Sequence, residues 1–393
     1  MIQKKKWSVF ISALFFMLIF SGCGKIEAPI AENTLDETLL EDKYFYQLLT
    51  EEEEKLVYKE IYQGLIEHTE AIYVENIDID RAENILFEVY YDSPEIFWIY
   101  PNVETGGREE GLLTEGYNIV YPQYECTLEE RTSKQAAIDA VMVEIDKMLP
   151  KDADEYDKIK FVYEYLVDTV TYVDDAPDNQ NIYSALVNKE TVCAGYARAY
   201  QYILNHWDVQ CTYVSGMAGD VLKEGEKRDP EEDSHAWNLV KCDDEYYYVD
   251  VTWGDMDIDE KDKDGLEYPM CYEYLCCDDS LLKTHTLDEE IVMPECTSDD
   301  LNYYKLNKMY YDSVDSEKLL KAMRKSIKKK EKYTIFKFKN NKIYKKGTKK
   351  ILEELIDPAS ETFFEIYNHL ETMHYSYQKD DEFNKLILYW KYE

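Results

Sequence analysis

A chain of 393 residues is long enough for two or three domains, and 45% hydrophobic with 14% aromatic content excludes a disordered protein. A formal net charge of −38 excludes general affinity for nucleic acid or for anionic membrane surfaces. The acid is spread over predicted helices and turns, so most of it reads as solvated surface.

The chain starts with Lys4–Lys6, an apolar run from Trp7 to Phe20, and the small residues Ser21 and Gly22 before Cys23. A basic flank before an apolar run too short for an ordinary span is a leader pattern. Residues 1–22 are read as a signal peptide and 23–42, polar and acidic, as a tether. Loss of the three leader lysines takes the mature charge to about −41. The other eight cysteines show no regular framework spacing and are expected mostly as buried free thiols.

From Tyr44 a helical period carries Leu48, Leu49, Leu56, Tyr62, Leu65 and Ile66. A second helix is expected after Asp78, with Ile85, Leu86, Val89 and Tyr90 on its apolar face, ending at Ser93-Pro94. Strands are expected at Phe97–Tyr100 and Tyr117–Tyr121, with turn material at Glu104–Gly107, making a small α/β domain over 43–128. Helices follow over about 133–149 and 153–172. Next come a helix at Cys193, a strand at Cys211–Gly216, and two strands in Ser234–Asp255. The third unit, 301–393, has a helix from about Ser316 and strands at Tyr333–Lys339 and Leu386–Tyr392. Residues 321–350 hold fourteen Lys or Arg and one Glu, net +13, a basic island suited to an anionic wall polymer or to solvent.

Thr191 is placed to cap a helix from Val192, which puts Cys193 in the first turn, where unpaired N–H groups and the helix dipole favour a thiolate. Gly195 keeps the surroundings small. A thiolate nucleophile needs a base, and the base an orienting group. If Asp243-Asp244 is the two-residue loop between HAWNLVKC and YYYVDVTW, Cys242 opposes Glu245. His235 and Asp250 then share a face as diagonal neighbours. Trp237 falls on that face as a cleft candidate, and Trp253 on the other.

VCAGYARAYQYIL, a strand ending in VSG, HAWNLV and YYYVDVTW together resemble the transglutaminase-like superfamily over about residues 150–297. The resemblance implies an α+β, papain-like core at 129–300, with the Cys helix packed on an antiparallel sheet, flanked by small N- and C-terminal α/β domains. It implies Cys193 as nucleophile, His235 as general base and acid, and Asp250 as orienter of His235. The expected activity is an exported thiol acyltransferase or hydrolase acting on peptide or glutamine-type amides; the alternative is a non-catalytic envelope scaffold of the same fold. No Trp lies between Trp98 and Cys193 to hold an oxyanion, which leaves Gln180, Asn181 or Tyr183, of which Tyr183 is taken as the donor, with Gly195 and Trp237 as its cleft neighbours. Neither metal nor cofactor is expected: the acidic run Asp255–Glu267 fails as a calcium loop, with Glu260 at position six and Leu266 at position twelve. The leader resembles a bacterial lipoprotein signal, with Phe20 where Leu is usual, and implies lipid on Cys23 and an extracytoplasmic, membrane-anchored protein. Its expected partners are a protein or peptidoglycan-peptide substrate and the membrane, without nucleic acid.

Overall fold

The computed structural model describes residues 34–392 apart from 76, 100–116, 224, 231, 256–268, 290, 368, 370 and 371. The leader, Cys23, the Glu104–Gly107 turn and all of the acidic run beyond Asp255 lie outside the described residues. None of the described helices is long and apolar enough to cross a membrane.

The N-terminal part comprises α1 (Tyr44–Leu48), α2 (Glu52–Ile66), β1 (Ile72–Glu75), α3 (Ile79–Asp92) and β2 (Tyr117–Val120), with β1 and β2 antiparallel. Asp78 caps α3, its carboxylate accepting from the amides of Asp80 and Arg81. Of the strand expected at Phe97–Tyr100, the described residues 97–99 form none; Ile99 makes an isolated bridge to Tyr124. Ile96 to Ile99 are all buried, and a solidly apolar run carries no period to separate strand from packed turn. Trp98 anchors the segment by donating to Leu65 O at 3.1 Å, under the Arg131 guanidinium.

α4 (Leu128–Met148) starts five residues before the expected Ser133, because Thr127 and Glu130 form a reciprocal capping box. α5 (Glu155–Thr169) follows an Asp154 cap. It ends before the expected Tyr172, since Thr171–Tyr172 pairs as β3 with β4 (Glu190–Thr191). α6 (Cys193–His206) lies against a four-stranded antiparallel sheet of order β7-β6-β5-β8. Its strands are β5 (Cys211–Ala218), β6 (Ser234–Cys242), β7 (Glu245–Val249) and β8 (His285–Leu287); α7 (Val251–Gly254) follows β7 directly.

One apolar cluster runs from Leu40 through α2, α3, α5 and α6 to Val251 and Cys276, so the N-terminal helices and the Cys193 helix share a core. Arg198, fully buried on α6, fastens the two by donating to the carbonyls of Tyr90, Ser93 and Ile96. The C-terminal part has its own core around Leu319, Phe336, Phe363 and Leu388. Its elements are α8 (Tyr303–Leu306), β9 (Tyr310–Tyr311), α9 (Ser316–Lys329), β10 (Tyr333–Phe338), α10 (Asn341–Lys350), α11 (Ile356–Ile366), β11 (His374–Asp380) and β12 (Lys385–Lys391). The sheet order is β11-β12-β10-β9.

Candidate active site

Cys193 is the first residue of α6, one later than the spacing suggests, and the extended Val192 is its N-cap. Thr191 is not the cap. Its hydroxyl turns inward to Ser184 Oγ and Asn179 O, both at 2.7 Å, and stitches the segment before the helix to the residues upstream. Gly195 is fixed by the same hydroxyl: a Cβ there would meet Thr191 Oγ1 at 1.8 Å. The glycine permits close packing beneath the helix start. The thiol is partly buried, at the positive end of the helix dipole and beside first-turn amides that have no intrahelical acceptor.

The register of β6 and β7 is the one read from the loop, with Cys242 opposite Glu245 and Asn238 opposite Val249. Asp243 and Asp244 take φ of 51° and 66°, a two-residue turn that aspartate tolerates. Asp250, however, lies just beyond β7. It caps α7, Oδ1 accepting from Trp253 N at 3.0 Å, while its own amide donates to Tyr274 O at 3.0 Å. Oδ2 is left facing His235 Nε2 at 2.8 Å. The Cys193 thiol is on the side of α6 that faces this imidazole and favours its charged form. Ring and carboxylate therefore meet, from β6 and the start of α7, with Cys193 at the start of α6 acting on the ring.

Asp250 is fully buried and His235 nearly so. Burial alone would push the imidazole down; the Asp250 charge, its hydrogen bond and the thiol outweigh this and raise His235 to about 10. Burial alone would raise Asp250, and the imidazoles around it more than offset that, holding its carboxyl well below the usual carboxylate range.

Two aromatic expectations change. Trp237 is completely buried, its ring stacked 6.1 Å from His235, so it supports the imidazole from beneath and lines no open cleft. Strand alternation places Trp253 on the opposite face from His235. It sits instead on α7, because the Asp250 cap ends the strand, and its ring centroid is 5.8 Å from that of His235.

Of the oxyanion candidates, Asn181 is buried and its Oδ1 accepts from the amides of Tyr183 and Ser184. The Tyr183 ring lies 5.0 Å from Lys134 Nζ. Gln180 is half-buried and makes no hydrogen bond to the described residues. Val192 N donates to Asn179 O at 3.1 Å, which keeps this segment beside the start of α6.

Residue-type patterning did not single out His285. From β8 its Nε2 reaches Asp250 Oδ2 at 3.0 Å, and it is buried against Trp237 and Trp253. The donor atoms of His235, Asp250 and His285 lie within 4.8 Å of one another, close enough to consider a metal. Both nitrogens, though, aim at a single carboxylate oxygen at hydrogen-bond distance, the geometry of a bonded trio rather than an open ligand set.

Residues 145–252 match the model of the Transglutaminase-like superfamily. No curated protein matches the chain. Among solved structures, similarity extends to a TGase (15% identity, 43% of this chain and 48% of that one, TM-score 0.25). It extends also to the periplasmic domain of TgpA from Pseudomonas aeruginosa (16%, 35% and 55%, TM-score 0.21). A third is a protein described as a proposed cysteine protease from Cytophaga hutchinsonii (16%, 29% and 37%, TM-score 0.25). The chain thus spans between 37% and 55% of the length of these three, and at such scores the likenesses carry no functional weight.

Proposed function

Starting from the premise that residues 145–252 belong to the transglutaminase-like superfamily, within an α+β chain, we propose that the protein is a thiol acyl-transfer enzyme or hydrolase acting on peptide or glutamine-type amides. The observation that carries this reading is the His235 imidazole bonded at 2.8 Å to the buried Asp250 carboxylate, with the Cys193 thiol favouring its charged form. With its pKa near 10, His235 carries its proton at neutral pH, the state that holds a thiolate beside it. The thiolate adds to the amide carbonyl, and the negative charge passes to the carbonyl oxygen, beside the Cys193 amide. As the C–N bond breaks, His235 gives its proton to the departing amine, leaving a thioester on Cys193 and a neutral imidazole. That imidazole then takes a proton from water or from a second amine as either attacks the thioester, and free Cys193 returns.

The test is site-resolved labelling with iodoacetamide at pH 7, read by peptide mass spectrometry. Cys193 is expected to react ahead of the other thiols, and Cys193→Ala to remove that label alone. A Cys193 no faster than the buried Cys211 would defeat the reading in favour of a non-catalytic scaffold.

A second role is favoured by one feature of the C-terminal part. Lys318, Lys321, Lys325 and Lys329 form a stripe at helical spacing along α9, on the wall of a cavity of about 980 Å³ that also exposes Tyr310 and Tyr333. Lys329 meets Glu331 at 3.8 Å, while Lys318, Lys321 and Lys325 repel one another along the stripe. We propose that this groove takes an anionic polymer of the cell wall, consistent with the leader and the lipid-modified Cys23 proposed for the chain. Binding of long-chain polyphosphate that weakens steeply with salt, and disappears in Lys318→Glu/Lys321→Glu/Lys325→Glu, is expected; equal binding by that variant rejects the groove.

A further inference from the structure

Asp250 Oδ2 accepts from two histidines, and only one of them faces the thiol. His235 Nε2 is 2.8 Å away and His285 Nε2 3.0 Å. Oδ1 accepts from the Trp253 amide at 3.0 Å, so three donors surround a fully buried carboxylate. On its far side His285 Nδ1 is 3.0 Å from Thr284 Oγ1, which is itself 3.0 Å from Leu281 O. That hydroxyl has one proton. Given to Leu281 O or to His285 Nδ1, it leaves Nε2 as the ring atom that must donate to Asp250. Either way Nε2 bears a hydrogen, because an ionised carboxylate can only accept.

We propose that His285 is a positioning residue for the Cys193–His235–Asp250 site: its N–H fixes the Asp250 carboxylate and takes up part of the charge on Oδ2, limiting how tightly Asp250 holds the His235 proton. This rests on the catalytic reading above. The imidazolium must hold a thiolate yet release its proton to a leaving amine, and a carboxylate given over wholly to His235 would oppose the second step. The other titratable groups facing the trio are Cys193 from α6, Tyr163 from α5, and Tyr274 and Cys277 from the segment before β8. Tyr163, Tyr274 and Cys277 are raised by burial and stay neutral through the range of interest, so His285 is the group positioned to offset the carboxylate from behind.

Nitrogen NMR on the full chain, labelled at its six histidines, tests this without a substrate. In the wild type His285 is expected to carry a hydrogen on Nε2; an Nε2 without one overturns the proposal with no variant needed. In His285→Leu the His235 titration midpoint is expected to move up by about one pH unit. In His285→Gln, whose amide N–H can reach the same oxygen, it should stay with the wild type. An unmoved midpoint in the Leu variant, or an equal shift in both, overturns the proposal. Iodoacetamide labelling separates the two claims. An inert Cys193 with a shifted His235 midpoint defeats the catalytic reading and spares the hydrogen-bond role; a reactive Cys193 with an unmoved midpoint does the reverse.

Discussion

The proton on His235 is set by a contest between burial and the Asp250 charge, and one substitution separates the two. In Asp250→Asn the attraction is gone while the burial stays, and only the Cys193 thiol still favours the charged ring, so the imidazole should fall well below about 10. Iodoacetamide labelling of Cys193 at neutral pH should then drop, and acyl transfer with it, by roughly 10³–10⁴. The same contest fixes a stability signature. A raised histidine stabilises the fold fully below its unfolded value and loses that contribution as pH rises through its folded value, a window from 6.5 to about 10. The urea midpoint of the wild type should therefore decline across that window more than that of Asp250→Asn; parallel declines would show that the buried pair is not coupled as drawn. Gln180 gives a second residue-scale prediction. It is the oxyanion candidate with no bond to the described residues, beside the start of α6. Gln180→Ala should slow acylation of Cys193 by roughly 10²–10³ while leaving its alkylation by iodoacetamide, which forms no oxyanion, unchanged. Equal effects on both reactions would assign Gln180 to structure.

Among the elements, α6 owes its start to packing rather than to a cap. Gly195→Ala would drive a Cβ into the Thr191 hydroxyl, which is already engaged at 2.7 Å on two sides and cannot swing away freely. A cost of about 1–3 kcal/mol is expected, as for overpacking elsewhere, with a displaced helix start. A thermal melt lowered together with Cys193 labelling is the expected outcome; a melt at the wild-type temperature would mean that the Thr191 contact yields easily. The two-residue Asp243-Asp244 turn explains why so much of this region was legible in the sequence. Once the loop length is set, strand alternation fixes which side chains share a face, and His235 is brought to Asp250 without knowledge of anything distant. The reading lost its hold where the period changed. Asp250 ends β7 by capping α7, so Trp253 follows helical rather than strand geometry and joins the site. His285 lies on a three-residue strand, 35 positions from its carboxylate, too short for any periodicity to mark its face. Thr191 looked like a cap because its type suits one; only the inward partners Ser184 and Asn179 show otherwise.

At the scale of the molecule, the C-terminal part is joined to the core by charges withdrawn from water. Glu273, with a side chain 5% exposed, meets Lys337 from β10 and Lys385 from β12, the latter at 3.0 Å and 9% exposed. Between these strands and the site runs a chain of rings: Phe383, at the turn before β12, lies 5.8 Å from Tyr274, and Tyr274 lies 5.3 Å from Trp253. The Tyr274 carbonyl also accepts the Asp250 amide. Docking of the C-terminal part and placement of the buried carboxylate thus share one segment of backbone. Removing a single member of the ionic cluster leaves buried charge uncompensated, so Glu273→Ala should cost about 3–5 kcal/mol. Replacing the three with apolar residues of similar size, Glu273→Leu/Lys337→Met/Lys385→Met, should recover most of this, because their desolvation cost disappears with them and Asp380, which pairs with Lys385 at 3.3 Å, is 21% exposed and can turn to water. Trp390 sits on β12, and the NMR signal of its indole N–H, which donates to Thr334 Oγ1 at 2.8 Å, reports this part, while Cys193 labelling reports the site. Glu273→Ala is expected to bring the Trp390 transition to lower urea and to slow labelling below that transition, and the triple variant to recover both. A triple variant as unstable as Glu273→Ala would show that the cations hold the two parts together by attraction rather than merely tolerating burial. Labelling unchanged in Glu273→Ala would mean that the ring chain from Phe383 to Trp253 carries no strain into the site.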